Sequence, residues 1–204
     1  MIKAVLFDFG GVLSEQGTAG FTGRVLAKLY GVGQQEVRGI VDLHHDFQCG
    51  RVSGAVYIDE LNRRFDGNVT VKEFLQEADY PTLSEEVYEL ARSLRGQGVK
   101  TAIFSNIPDI NARELRQQGC YDGFDPVILS CEEGYIKPDP AFYELAVRRL
   151  GVHPEEVLLI DDQERCLPPA RQLGMHTILA RSSRQIVADT RALIARENGH
   201  APAG

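Results

Sequence analysis

Five short apolar runs constrain the fold of this chain more than any other feature. They occupy residues 2–7, 100–104, 126–129, 157–160 and 176–180, and each is followed by polar or glycine-containing sequence. Runs that are apolar throughout, without alternation, suit strands buried on both faces, and such strands belong to parallel sheets. Between the later runs the sequence switches to a helical period. Val87, Leu90, Ala91 and Leu94 fall at i, i+3, i+4 and i+7 behind Ser84-Glu85-Glu86, an N-cap with an acidic first turn, and Gly96 and Gly98 mark the far end. Asp139-Pro140 opens another helix, with Phe142, Leu145 and Ala146 as its stripe and Gly151 at its end. Strand and helix alternate from about residue 84 onward. The pattern predicts an α/β fold: a Rossmann-like open parallel five-stranded sheet with helices on both faces and right-handed crossovers.

The first strand interrupts this alternation. A long interval separates it from the second, filled by helical patterns over residues 21–30, 34–47, 53–65 and 70–78. The last of these opens on Thr70-Val71-Lys72-Glu73, a capping box. Structureless loops of that length are uncommon in compact domains. The expected organisation is therefore an α/β core of residues 1–15 and 83–204, with residues 16–82 inserted as a small all-helical cap domain over the carboxyl edge of the sheet. Residues 198–204 read as a frayed tail.

Charge and composition remove several function classes. The 204 residues carry 22 Lys+Arg against 29 Asp+Glu, a net −7, with no dense basic stretch to neutralise a phosphate backbone, so nucleic acid is not the expected partner. No apolar run approaches the roughly 18 residues that a membrane span needs. Cys49, Cys120, Cys131 and Cys166 lie far apart without a CxxC pair, and the first residues show no signal-peptide pattern, which reads as a reducing cytoplasm. The sequence does not choose between monomer and homodimer. Its acidic balance repels anions at long range, so any phosphate site has to be built from local charge or a metal.

In open parallel sheets, ligands gather beyond the carboxyl ends of the strands. The polar residues there are Asp8, Ser105-Asn106, Lys137 and Asp161-Asp162. Three carboxylates in one cleft do not all ionise beside a single lysine without further positive charge. A divalent cation supplies it. The donors are hard oxygens, with neither a His cluster nor thiolates at hand, so Mg²⁺ fits better than zinc. Each residue also has a plainer reading: Asp8 and Asp161-Asp162 as caps, Ser105-Asn106 as a strand-ending turn, Lys137 as a solvated loop lysine. His44, His45, Arg24, Arg51, Lys28 and Lys72 read as solvated surface, and Cys166 as packing.

Four stretches, in this order, resemble the motifs of the haloacid dehalogenase-like superfamily. They are Phe7-Asp8-Phe9-Gly10-Gly11-Val12-Leu13, then Ile103-Phe104-Ser105-Asn106, then Ser130 through Glu133-Gly134-Tyr135-Ile136-Lys137-Pro138-Asp139-Pro140, and last Leu159-Ile160-Asp161-Asp162 running to Gly174-Met175. The resemblance covers essentially the whole chain and points to the branch whose helical cap follows the first motif. It implies an Mg²⁺-dependent phosphatase for a small phosphate monoester, a sugar phosphate or similar metabolite. It further implies Asp8 as a nucleophile forming an aspartyl-phosphate, and Mg²⁺ on the Asp8 carboxylate, the Gly10 carbonyl and the Asp162 carboxylate, with Asp161 in the outer sphere. Ser105, Asn106 and Lys137 would bind the phosphoryl group.

One position departs from the pattern. Phosphatases of the family usually carry a second aspartate, a general acid/base, two residues after the nucleophile, and Gly10 stands there. Glu15 and His44 are candidates to replace it. The same nucleophile also admits a 2-haloacid dehalogenase, against which Asp161-Asp162 argues, because dehalogenase relatives place Ser and Asn at that pair. A phosphonatase-type hydrolase with a Schiff base on Lys28 or Lys72, and a binding or regulatory member without turnover, complete the alternatives. Substrate choice is expected from the cap and from residues 13–20.

Overall fold

The structure, a computed structural model, describes residues 1–16, 21–77 and 82–199. The five apolar runs form five strands: β1 Ala4–Phe7, β2 Lys100–Ser105, β3 Val127–Leu129, β4 Val157–Asp161 and β5 His176–Leu179. All pair in parallel, in the order β3-β2-β1-β4-β5. The first strand is thus the middle one. Connections run outward from it in both directions, which leaves a crevice at its carboxyl end between β2 and β4.

Side-chain alternation divides the sheet residues between two cores. Val5, Phe7, Ile103, Leu158 and Ile160 pack with the helices Glu85–Gly96, Asp109–Gln117 and Ser183–Glu197. Ala4, Leu6, Ala102, Phe104 and Leu159 pack on the opposite face with Pro140–Leu150 and Leu167–Gln172. The helix-end signals act largely as the sequence suggests. Asp139 accepts the Ala141 N–H at 3.0 Å, and Gly151 ends that helix with φ 66°. Ser84 differs, because it sits at the N-cap yet its hydroxyl bonds Ser183 Oγ at 2.7 Å, tying two helices together.

Between the irregular turn after β1 and the helix Glu85–Gly96, the described residues form five helices: α1 Phe21–Tyr30, α2 Gln34–Arg38, α3 Val41–Gln48, α4 Gly54–Phe65 and α5 Val71–Glu77. The single helix expected over 34–47 is two. Gly39 closes the first by bonding back to Gln35 and Glu36, and Ile40 then turns into the apolar interior. The capping box is present, with Glu73 accepting the Thr70 N–H at 2.8 Å and Thr70 Oγ1 accepting the Glu73 N–H at 3.2 Å. Val25, Leu26, Phe47, Tyr57, Ile58, Leu61 and Phe74 form a third apolar cluster, joined by Ile110 from the helix after β2. Phe47 stacks on Tyr57 with centroids 4.1 Å apart. The segments entering and leaving these helices run side by side, Ser14 bridging Leu83 and Glu15 N–H donating to Thr82 O at 2.9 Å. Residues 17–20 of the expected specificity loop, residue 78 and residues 200–204 of the expected tail lie outside the described residues. Among the described residues no helix is long and apolar enough to cross a membrane.

Candidate active site

The site begins where β1 stops. The Asp8 N–H still bonds Ile160 O at 2.9 Å, so β4 holds the backbone as the carboxylate emerges, and Phe9–Leu13 then folds into one irregular helical turn. Gly11 permits that turn. Its φ is +68°, and a Cβ there would lie 2.7 Å from Asp162 Oδ2, so only glycine accommodates both the backbone and the approach.

Asp8, Lys137 and Asp161 meet almost out of reach of water, at 4%, 2% and 0% exposure. Lys137 Nζ lies 3.1 Å from Asp8 Oδ1 and 2.5 Å from Asp161 Oδ2, and it donates to Phe104 O at 2.9 Å. These three acceptors match the three N–H groups of the ammonium. The other oxygen of Asp161 accepts the Gln163 N–H at 2.8 Å. Asp8 accepts from the Ser105 hydroxyl and the Phe9 amide. Burial pushes the pKa of Asp8 above the usual carboxylate range, outweighing the draw of Lys137 in the opposite direction, while Asp161 adds to the rise. Burial also opposes the charge on Lys137, but Asp161 and Asp8 overcome it and hold the ammonium above the ordinary lysine value.

Asp8, Asp161 and Asp162 each offer a carboxylate oxygen, all within 4.8 Å of one another. Three carboxylates against one ammonium leave an excess of negative charge, and all the donors are hard. This set fits a small divalent cation such as Mg²⁺ and fits poorly with softer metals.

Asn106 also holds the lysine backbone. Its amide donates to Lys137 O at 2.9 Å and accepts the Lys137 N–H at 2.8 Å. Gly10, Ser105, Asn106 and Lys137 line a cavity of about 1020 Å³ whose opposite wall comes from α1, α3 and α5. His44, read as solvated, is instead mostly buried in that wall. Its Nε2 lies 3.1 Å from Thr22 Oγ1 and its Nδ1 3.1 Å from the Tyr57 hydroxyl, and burial lowers its pKa to about 4. Cys166 is buried, and burial pushes its thiol up to about 12, which suits packing.

Two contributors escaped sequence reasoning. Gly11 lies in the first motif, where the sequence does not show that its positive φ and the approach of Asp162 require glycine. Ser130 directly follows β3, so the strand-end rule that selected Asp8 and Ser105 selects it too; its hydroxyl accepts the Ile107 N–H at 2.8 Å and donates to Gln48 O at 2.7 Å.

A doubly covered parallel sheet with a buried carboxylate–ammonium cluster beyond its central strand defines an α/β enzyme with its site at the switch point. A family model for haloacid dehalogenase-like hydrolases matches residues 2–174, and the chain belongs to that family. The sesquiterpene phosphatase astK of Aspergillus oryzae is 27% identical over 178 residues, 85% of this chain and 87% of that protein. A HAD-like family hydrolase of Porphyromonas gingivalis superposes with TM-score 0.80 at 26% identity, covering 95% of this chain and 98% of that one. A HAD family enzyme of Bacteroides thetaiotaomicron, solved with magnesium and inorganic phosphate, superposes with TM-score 0.74 at 21% identity over 87% and 93% of the two chains, a likeness of fold alone. Against other curated relatives the chain spans 10%, 22% and 23% of their length.

Proposed function

We propose that this hydrolase is an Mg²⁺-dependent phosphatase that cleaves a small phosphate monoester through an aspartyl-phosphate on Asp8. The observation that carries the reading is the buried Asp8–Lys137 pair, 3.1 Å apart, whose lysine lines the cavity together with Gly10 and Ser105. The phosphatase name of the Aspergillus relative and the magnesium and phosphate in the Bacteroides enzyme support it.

Asp8 attacks phosphorus as the P–O bond to the leaving group breaks, and the leaving group departs as its oxyanion and takes a proton from water; water then hydrolyses the acyl phosphate to inorganic phosphate and frees Asp8, so one hard displacement becomes two easier ones. Lys137 presents fixed positive charge to the phosphoryl oxygens and needs no reorganisation to do so, because its three partners already hold it. Ser105 donates a hydrogen bond to the same group. The carboxylates of Asp8 and Asp162 and the carbonyl of Gly10 would hold Mg²⁺, and the ion when bound neutralises charge so that one anion can approach another. Asp161, with both oxygens already engaged, orients Lys137. Residues 16–82 act as a cap that excludes water and selects the leaving group.

Gly10 brings no proton donor, so the reading favours esters with good leaving groups. The test is phosphate release from a panel of monoesters, aryl, acyl and sugar 1-phosphates included, with Mg²⁺ or with a chelator, alongside Asp8→Asn. Turnover that needs both the metal and Asp8 is expected. No turnover of any ester by well-folded protein with Mg²⁺ present overturns it.

A further inference from the structure

The inserted helices and the core meet along a seam at Ser130, the residue that opens the third motif, and Ile107, which directly follows the second. Ser130 Oγ, fully buried, accepts the Ile107 N–H at 2.8 Å and donates to Gln48 O at 2.7 Å. One hydroxyl therefore joins three segments: the end of β3, the loop that leaves β2, and the last residue of α3. The Gln48 carbonyl ends a helix, where no helical N–H remains to serve it, and a core side chain supplies the missing donor. Ile107 stands two residues beyond Ser105, and its neighbour Asn106 is already gripped against Lys137.

Close approach continues along the same seam. Gly50 has φ +70°, and a Cβ there would lie 2.1 Å from Cys131 O; a Cβ on Gly54 would lie 2.2 Å from Ile110 Cγ2. The Gly54 N–H also bonds Asp109 Oδ1 at 3.0 Å. Residues 48–54 are thus fitted to residues 107–110 and 130–131 with no room for a side chain at two places. Gln48 and Ile107 both line the active-site cavity.

We propose that Ser130 is a positioning residue whose hydroxyl makes the seating of the helical insertion and the placement of the Ser105–Ile107 loop one event. The proposal rests on the phosphatase reading only for its kinetic arm. The hydroxyl has one proton, and Gln48 O at 2.7 Å is nearer to it than Ile107 O at 3.2 Å; removing the hydroxyl strands the buried Ile107 N–H and takes from the half-buried Gln48 carbonyl its donor. Loosening the seam therefore also loosens the loop that presents Ser105 to Asp8, although neither residue is touched.

The experiment is amide hydrogen exchange on the full chain, read residue by residue by NMR, for wild type, Ser130→Ala and Gly54→Ala. Gly54 opens α4, where alanine is the better helix former, so any loosening it causes comes from the seam. In Ser130→Ala the amides of Ile107 and residues 48–54 should exchange about ten-fold faster or more, together, while β1 and β4 keep their protection. In Gly54→Ala the Ile107 amide should also accelerate, despite its distance in sequence from the change. If Ile107 keeps its wild-type protection in Gly54→Ala, or if Ser130→Ala accelerates every amide equally, the coupling is overturned. If Ser130→Ala does not fold, the Gly54→Ala result alone decides. With p-nitrophenyl phosphate, Ser130→Ala should lower kcat about ten-fold with KM changed less, since a misplaced Ser105 acts on the transition state. Absence of wild-type turnover would count against the phosphatase reading and leave the exchange result standing.

Discussion

Lys137 Nζ and Asp8 Oδ1 lie 3.1 Å apart, with side chains only 2% and 5% exposed, and the same ammonium reaches Asp161 Oδ2. Removing the lysine would leave two buried carboxylates facing each other. Lys137→Met should therefore destabilise the fold by roughly 3–5 kcal/mol, the usual cost of breaking a buried pair from one side. Adding Asp161→Asn should recover part of that stability, because one of the stranded charges is then gone. Phosphatase turnover should fall by a factor on the order of 10² or more in both variants and should not recover with stability. Urea unfolding and phosphate release on the same preparations check the two halves separately. Recovery of turnover along with stability would mean that Lys137 serves the fold alone.

The metal reading makes a claim that needs no substrate. A cation that binds the folded chain and not the unfolded one raises the melting temperature, by about 2.7 kcal/mol of stability at a hundred times Kd. Mg²⁺ should raise Tm for the wild type, and a chelator should return it to the metal-free value. Asp162→Asn should abolish most of the shift while leaving the metal-free Tm near wild type. Calorimetric scans with and without Mg²⁺ measure both. An equal Mg²⁺ shift in Asp162→Asn would remove that carboxylate from the ligand set.

Much of this site could be seen in the chain beforehand, for a physical reason. In a parallel sheet each strand ends on the same edge, so residues scattered at 8, 105, 137 and 161 converge without any knowledge of their distances. What could not be seen depends on partners remote in sequence. Asn106 looks like an ordinary turn residue until Lys137 arrives to occupy both ends of its amide. His44 sits in a polar stretch, Val41-Asp42-Leu43-His44-His45-Asp46, that suggests solvent, yet Thr22 and Tyr57 enclose it. The split at Gly39 was hidden because the apolar period continues across it, and only the burial of Ile40 reveals the change of direction.

Enclosure of His44 predicts a dependence of stability on pH. In the unfolded chain the imidazole titrates near 6.5, whereas burial, with a smaller effect of His45, brings the folded value to about 4. Between those values the unfolded state binds more protons, so stability should fall as the pH drops from about 6.5 toward 4, by roughly 3 kcal/mol at most. Above 6.5 this residue contributes no slope. The groups facing the ring are Thr22 and the Tyr57 hydroxyl, with Arg24, Lys28, His45 and Glu77 on the same cavity wall. Urea midpoints at pH 7, 5.5 and 4.5 for wild type and His44→Gln isolate the effect: the variant should lose much of the acid-side slope. Parallel slopes in the two proteins would show that His44 titrates normally.

Position 10 offers the sharpest test of the chemistry. Gly10 lines the cavity with φ −69° and ψ 130°, a backbone that any residue adopts, so nothing in its conformation demands glycine. A carboxyl group introduced there would stand two residues from the nucleophile, where the family's phosphatases usually place their general acid. General acid assistance is worth about 10²–10⁴-fold where the leaving group needs a proton and little where it does not. Gly10→Asp should therefore raise kcat/KM for alkyl phosphates by a factor on the order of 10 to 10², with little change for p-nitrophenyl phosphate, whose phenolate departs unaided. The added negative charge beside Asp8 works the other way, by opposing the approach of a phosphate anion, and should appear as a higher KM for both kinds of ester. The ratio of the two kcat values removes that common factor. If the ratio stays at its wild-type value while the variant folds and binds Mg²⁺ normally, proton transfer to the leaving group already has a donor elsewhere in the cavity, and His45 and Glu77 on the cavity wall would be replaced first, since His44 is uncharged near neutral pH.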